Sequence, residues 1–475
     1  MWRFSQRLPC RSWCRRFFSG KSKSPGESEV SLGIKINLNF HWLMDNVEEV
    51  QRNIKLRGSD ADAYEVRDLY TEYLDTKKHC EALRAERKSI ARKMADKTLD
   101  QEARQNFIKI AKQIKSDIAK GEEELEQKEA ALYEKALHIP NQTSDKTPPE
   151  EEQVIGFIHA TEERAPAEHN LDIHHVKLGE NLGIFDFHSA SKVAGSNHAC
   201  FMKKEGALLE LALINFAVQH ATSKGYTPVL TPDLARRAIV ERCGFMPKGS
   251  SGLEDQIYQL AGSDLCLVGT SEIPLAGMLA AELLEEKELP LKFVAFSHCF
   301  RKEASGSGTD ARGLYRMHQF SKVEMFAFAT AQQSEEALEE ILEIQKEIFE
   351  LLELECRVIE MPATDLGAPA SRKVDIEAWM PARGGYGEIS SASNCLDYQS
   401  RRLDIRYKLD PDSKRTEDSE VSRSGKTAYV HTLNGTACAI PRTILAITEQ
   451  HHNPDGSLTI PKALRPYMGG RERIG

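Results

Sequence analysis

Largely apolar positions recur at alternating three- and four-residue steps in two neighbouring stretches of this chain. Leu69, Tyr73, Thr76, Cys80, Leu83, Ile90 and Met94 form one seam, and Phe107, Ala111, Ile114, Ile118, Leu125 and Leu132 form another. Such spacing keeps one stripe of a helix apolar over successive turns, and it predicts two long helices packed seam to seam. From about Asp60 to Ile139 the composition is rich in Ala, Glu, Lys, Leu and Arg, with no proline before Pro140. The intervening DKTLDQEA is polar and suits a tight reversal, so the pair is expected to form an antiparallel helical hairpin.

Beyond Pro140 the pattern shortens. The polar, acidic NQTSDKTPPEEEQ marks a boundary, after which short apolar strands alternate with amphipathic helices such as GALLELALINFAVQHATSKG and EEALEEILEIQKEIFELLELE. DPDSKRTEDSEVSRSGK, from Asp410, reads as an exposed loop between two hairpin strands. A period of two stands out in FRKEASGSGTDARGLYRMHQFSKVEMF, Phe300 to Phe326. If GLYRMHQFSKVEMF is a strand, Tyr315, Met317, Gln319, Ser321, Val323 and Met325 share one face. Arg316, His318, Phe320, Lys322 and Glu324 then share the other. With Arg301 and Glu303 at the end of the preceding strand, a hairpin would turn a set of arginines, carboxylates and an aromatic ring toward one cavity. A salt-bridged exposed strand would give the same pattern.

Composition narrows the class. The chain has 475 residues, 40% hydrophobic and 28% charged, with no apolar run long enough to cross a bilayer. Ten cysteines stand singly without a CxxC pair, which argues against a disulfide framework or a structural zinc site. The pairs His174/His175 and His451/His452 lack ligand-spaced companions and read as surface or cap histidines. Net charge is −9, yet Lys77 to Lys120 holds thirteen Lys/Arg against six Asp/Glu. Basic residues on the outer part of a hairpin in an acidic protein suit a solvated helix face or contact with a polyanion. The first residues, MWRFSQRLPCRSWCRRFFSGKSKSPGE, are Arg-rich and contain no acid before Glu27. That is the pattern of a mitochondrial transit peptide, here with cleavage expected after Phe18, or of a basic tail that binds RNA or lipid.

Three further clusters accompany the charged strand. GTSE brings Thr270, Ser271 and Glu272 to the start of an apolar helix, which by itself is capping chemistry. GEISSASN carries Glu388, Ser390 and Ser391, and a carboxylate beside hydroxyls suits Mg²⁺ shared with phosphates. TLNGTACAIPR ends a strand and opens a helix carrying Arg442, another anion contact. Arginines would grip phosphate or carboxylate through forked hydrogen bonds, and Phe320 could stack on a planar base. Together the clusters specify a site for a nucleoside triphosphate and a small polar molecule.

In this order GYTPVLTP, GTSE, FRKE…RGLYRMHQFSKVEMF, EISSASNCLDYQSRR and LNGTACAIPR resemble the seryl-tRNA synthetases, as does a helical hairpin followed by IPN. The resemblance spans roughly Asp60 to Met468 and, with the leader, implies a mitochondrial form. It implies an α+β fold: an antiparallel two-helix coiled-coil arm preceding a class II catalytic domain built on an antiparallel β-sheet. The expected division is a leader 1–18, an N-terminal tRNA-binding domain 19–141 with the arm at about 60–139, and a catalytic domain 150–475. The implied reaction is activation of L-serine by ATP, with Mg²⁺, and transfer to tRNA(Ser), in a homodimer of the mitochondrial matrix that needs no membrane.

Residue by residue, the resemblance makes Arg301, Glu388 and Arg442 the catalytic groups. Arg301 would hold the ATP α-phosphate and the serine carboxylate, Glu303 the adenine amino group, Phe320 the adenine face and Arg442 the far phosphates. Lys302, Arg316, Met317, Ile389 and Ser390 complete the implied ATP site, while Glu388 and Ser391 would bind Mg²⁺ and ATP. Thr270, Ser271, Glu272, Arg301, Glu324, Asn434 and Thr436 would surround serine. Lys88, Arg92 and Lys93 are the expected tRNA contacts, and Pro232 belongs to the motif at the dimer interface. The turn SGSGTDARG lacks the aromatic or basic residues some relatives place there, and Lys302 stands where serine is more frequent. A synthetase-like paralogue that binds RNA or protein without activating serine, or a ligase that charges a carrier protein, would share much of this pattern. The intact Arg301, Glu303, Glu324, Glu388 and Arg442 argue against the first, and the basic hairpin against the second.

Overall fold

In the computed structural model, residues 33–95, 100–196, 198–245, 257–303, 313–410 and 426–475 are described. The leader 1–18, the first half of DKTLDQEA, and most of SGSGTDARG and of the loop after Asp410 lie outside them. Helix α1 (Ala63–Met94) starts where the Asp62 side chain accepts from the Tyr64 and Glu65 amides, and α2 (Gln101–Ala136) where Asp100 accepts from Ala103. Their seams meet as expected. Ile90, Ile114 and Ile118 are buried together with Leu83, Met94 and Phe107 packed against them. Each such isoleucine contributes about 1.5–3 kcal/mol by leaving water. Cross-pairs Glu65–Lys135, Thr76–Lys128 and Arg84–Glu122 fix the antiparallel sense. A Cβ at Gly121 would sit 2.7 Å from Cys80 Sγ, so the helices approach closely there.

The linker after Pro140 is fastened down. Asn141 donates from its side chain to the carbonyls of Pro369 and Cys395, and the buried Arg57 donates to the carbonyls of Asn141, Gly367 and Ala370. These bonds tie the base of the arm to the sheet domain.

That domain is built on eight strands: β1 (Gln153–Ile158), β2 (Thr227–Leu230), β3 (Leu291–Phe300), β4 (Gln319–Ala329), β5 (Cys356–Glu360), β6 (Arg372–Met380), β7 (Gly385–Asn394) and β8 (His431–Ala439). Their order is β1-β5-β6-β7-β8-β4-β3-β2, antiparallel except for the edge pair β2–β3. Three helices, α3 (Glu205–Ser223), α4 (Ser334–Leu351) and α5 (Ile440–Gln450), cover one face. The alternation in β4 follows from this. Val323, Met325, Ala327 and Ala329 pack with Leu213, Ile341 and Ile444 on the helical side, whereas Phe326 and Phe328 join Ile273, Leu275 and Tyr407 on the other. The fold is therefore α+β with a helical arm, as the sequence suggested. The strands flanking the loop after Asp410, Arg406–Lys408 and Thr427–Tyr429, also pair antiparallel.

One boundary differs. The strand does not begin at Gly313: residues 313–315 form a 3₁₀ turn, and pairing with β3 begins at Gln319 opposite Phe300. Leu314 and Met317 are both buried, a spacing of three that a turn satisfies and a strand does not. Arg316 consequently leaves the face assigned to it. A second difference concerns His175, which is buried between helices and not on the surface, while its neighbour His174 does cap a helix start at the Val176 amide.

Candidate active site

The uncovered part of the sheet face, opposite the three helices, floors a cavity of about 320 Å³. Two strand irregularities decide what lines it. In a regular strand, residues three apart point to opposite faces. Between β6 and β7 the register slips: Ser391 pairs with Asp375 and Ser390 with Ile376, but Glu388 pairs with Glu377, leaving Ile389 as the extra residue. This bulge puts Glu388 and Ser391 on one face. A second slip, with Ala437 extra, lets Thr436 face Glu324 while Ala439 faces Lys322. Both bulges turn polar groups toward the space that Phe320, Lys322 and Glu324 enter from β4.

Two clusters result. In the first, Glu324 accepts from Thr436 Oγ1 at 3.0 Å and pairs with Lys322 Nζ at 2.5 Å. Glu272 is close by at a helix start and accepts from Gln399 Nε2 at 2.6 Å, while its amide donates to Thr270 Oγ1. Burial, with Glu324 adding to it, pushes the Glu272 carboxyl up to about 7. This end of the cavity is thus a buried cup with two carboxylates against one ammonium, a net acidic environment suited to a cation.

In the second, Arg442 donates to Glu388 Oε2 at 3.1 Å and to the Tyr315 carbonyl at 3.2 Å, and its guanidinium lies 4.5 Å from the centre of the Tyr315 ring. The Glu388 side chain, 40% exposed, opens onto the cavity. Burial alone would push its carboxyl up, but Arg442, Lys373 and Arg301 outweigh that and hold it below the usual carboxylate range. Asp375, in the row behind, is pushed up to about 7 by burial despite its ion pair with Lys373 at 2.7 Å. Arg301 stands between the clusters: its charge is felt at both Glu272 and Glu388, and its guanidinium lies 5.2 Å from the centre of the Phe320 ring.

Of the residues singled out from the sequence, Arg301, Glu303, Met317, Phe320, Glu388, Ile389, Ser390, Ser391 and Arg442 line the cavity, as do Thr270, Glu272, Glu324, Asn434 and Thr436. The Ser390 hydroxyl, however, donates to the Thr436 carbonyl. Three are not in its wall. Lys302 points to the Tyr258 ring, 5.8 Å from its centre. Arg316, displaced by the turn, is exposed and reaches the cavity only by donating to Glu303 at 3.1 Å. Ser271 is wholly buried beneath the helix start. Pro232 and the arm residues Lys88, Arg92 and Lys93 lie exposed elsewhere.

Sequence reasoning gave no role to Lys322 or His318 and overlooked Lys373 and Tyr315. Lys322 is the buried partner of Glu324. His318 shares its ring nitrogen Nδ1 with the Tyr258 hydroxyl and the Arg301 carbonyl, and its own carbonyl accepts from the Arg301 amide, so it fixes the backbone that aims Arg301. Lys373 was detectable: Lys373, Asp375 and Glu377 alternate within RKVDIEAWM, a charged face on an otherwise apolar strand.

Comparison with known proteins places the chain in a family. The family model for the seryl-tRNA synthetase N-terminal domain matches residues 38–143, and that for the tRNA synthetase class II core domain (G, H, P, S and T) matches 258–451. A serine–tRNA ligase of Rubrobacter xylanophilus is 42% identical over 442 residues, covering 92% of this chain and 99% of its own. One from Treponema denticola is 40% identical over 440 residues, 92% and 100% of the two chains. The crystal structure of a Pyrococcus horikoshii seryl-tRNA synthetase complexed with ATP superposes with a TM-score of 0.79 at 35% identity, over 92% of this chain and 99% of that one. For a cytoplasmic serine–tRNA ligase of Naegleria fowleri in complex with AMP the TM-score is 0.74 at 26% identity, over 90% and 95%. With relatives this similar along nearly their whole length, the chain belongs to the seryl-tRNA synthetase family, a class II serine–tRNA ligase.

Proposed function

We propose that the chain acts as a homodimeric mitochondrial serine–tRNA ligase and that the two clusters divide its substrates. The acidic cup takes serine: Glu272 and Glu324 face the ammonium, Thr436 and Thr270 the hydroxyl, with Asn434 in support. The aromatic and cationic end takes ATP, with adenine on Phe320 and beside Glu303, and the far phosphates at Arg442. The observation that carries this reading is the position of Arg301, between the clusters, where one guanidinium reaches both a carboxylate and an α-phosphate.

In the first step a serine carboxylate oxygen attacks the α-phosphorus. An O–P bond forms, the bond to the β-phosphate bridge breaks, and pyrophosphate leaves with that electron pair. In the second, a hydroxyl of the terminal tRNA ribose attacks the seryl carbonyl and AMP departs. No side-chain nucleophile is required; holding the reactants in line and balancing charge suffice. The donor set fits Mg²⁺. Glu388 and Ser391 offer oxygens on one face, and Asp375 Oδ1 behind them is buried without a hydrogen-bond partner among the described residues. Bound there, the ion would offset phosphate charge.

The dimer reading rests on an apolar surface at the sheet edge. Among the described residues β2 pairs on one side only, with β3, and Leu230 is 89% exposed two residues before the exposed Pro232. Light scattering of a Leu230→Asp variant should show monomer, and an unchanged dimer would count against this face. The basic leader, acid-free as far as Glu27 and lying ahead of residue 38, where the first family match starts, supports the matrix reading. A reporter carrying residues 1–32 should enter mitochondria and be shortened. Activity itself is tested by serine-dependent ATP–pyrophosphate exchange with the chain from residue 19 to 475; a folded protein without exchange would refute the assignment.

A further inference from the structure

His174, His175 and Glu449 bring their ligand atoms within 4.8 Å of one another behind the cavity, a grouping that could suggest a metal. The hydrogen bonds assign it differently. The Leu314 amide donates to His175 Nε2 at 3.1 Å, so that nitrogen carries the lone pair and the ring proton resides on Nδ1. Nδ1–H donates to Glu449 Oε1 at 2.8 Å. The same carboxylate accepts from the His175 amide at 3.2 Å and, through Oε2, from the Ala382 amide at 3.0 Å. Both side chains are only 2% exposed. Every ring nitrogen of His175 is engaged, which leaves no lone pair for an ion.

What this pair holds is the 3₁₀ turn at the cavity wall. Gly313 has a φ of 76°, and a Cβ there would lie 2.1 Å from His175 Nε2, so the turn is pressed directly against the imidazole. The next two residues, Leu314 and Tyr315, line the cavity, and Tyr315 supplies both the carbonyl and the ring that orient Arg442. Glu449 lies two turns beyond Arg442 on α5, so one helix carries the phosphate-facing arginine and the carboxylate that aims the turn against it. Thr270, Glu272 and Thr436 have no part in this chain of contacts.

We propose that His175, locked in one tautomer by Glu449, is a positioning residue for ATP: it anchors the Leu314 amide and thereby the Tyr315–Arg442 wall, without touching substrate. The proposal rests on assigning that wall to ATP. In ATP–pyrophosphate exchange with the full chain, His175→Leu should raise the KM for ATP about tenfold, as expected for one lost buried acceptor, and leave the KM for serine within twofold. His175→Gln, which offers an amide oxygen near the place of Nε2, should restore the ATP KM to within about threefold of the parent. Equal rises in both KM values, an unchanged ATP KM in folded His175→Leu, or failure of Gln to restore it would overturn the proposal. If His175→Leu does not fold, Gly313→Ala displaces the turn from the opposite side and should give the same split; an unaltered ATP KM would overturn it. Arg442→Ala serves as the reference: if it leaves the ATP KM unchanged, the assignment of the wall to ATP fails, independently of the pair.

Discussion

The arm and the cavity draw on the same residue types, lysine, arginine and glutamate, and use them in opposite ways. On the arm, Lys88, Arg92 and Lys93 stand in water, and a pair such as Arg84–Glu122 leaves both side chains about half exposed. Such charges are screened within about 8–10 Å and fix little geometry. In the cavity, Lys322 and Glu324 are 8% and 2% exposed and in contact. There each charge is felt strongly by its neighbours, and placement to a fraction of an ångström decides its effect. The arm therefore suits a large, imprecise polyanion, and the cavity suits a small molecule whose every polar atom must be matched.

The sharpest test of that contrast is to remove the group on which both clusters converge. Arg301→Ala should lower exchange by about 10³-fold, the scale for losing a preorganised donor to developing charge. A loss below tenfold would mean that the clusters act independently of it. Next, reversing Lys88, Arg92 and Lys93 to glutamate should lower tRNA charging by about 10²-fold at physiological salt while exchange stays within twofold. Equal loss of both would assign the arm a folding role.

The pH dependence separates the regions further. Glu272, raised to about 7, binds a proton in the folded protein that the unfolded chain releases near 4.3. Its penalty is absent below about 4, develops as pH rises toward 7 and is complete above it, so it lowers stability at neutral pH. Glu272→Gln should thus gain melting temperature over the parent increasingly from pH 5 to pH 8. An ammonium ligand needs the ionised form, so the KM for serine should rise about tenfold from pH 8 to pH 6, and this slope should vanish in Glu272→Gln. A slope that survives would place the titration elsewhere. At the small end, Arg84→Ala should leave the urea-unfolding midpoint unchanged within error, because its ion pair is solvated.

Legibility in the sequence followed the same division. The hairpin was readable because a seam repeated over nine or ten turns leaves little freedom in where its faces point. The face Phe320–Lys322–Glu324 was readable because β4 is regular from Gln319 onward. Reading failed where regularity did. Arg316 was misplaced by a turn whose anchor, the buried His175 Nε2 that accepts from the Leu314 amide, lies 139 residues upstream. Glu388 and Ser391 were readable as one oxygen cluster but not as sharing a strand face, since nothing local in GEISSASN announces that Ile389 is extra. The histidine pair offered no periodic signal at all, because its partners arrive from three distant segments.

The two bulges carry a consequence for how this family can change. A strand is a two-state device in which each inserted or deleted residue exchanges inside for outside for everything beyond it. With one extra residue in each of β7 and β8, the floor of the cavity is in phase with the outer portions of both strands only because those two insertions are kept. Ile389 and Ala437 are buried in the apolar core and carry no reactive chemistry, so another apolar residue of similar size could replace them. Their number could not change. What is held fixed at these two places is a count along the chain, and substitution alone would never reveal it.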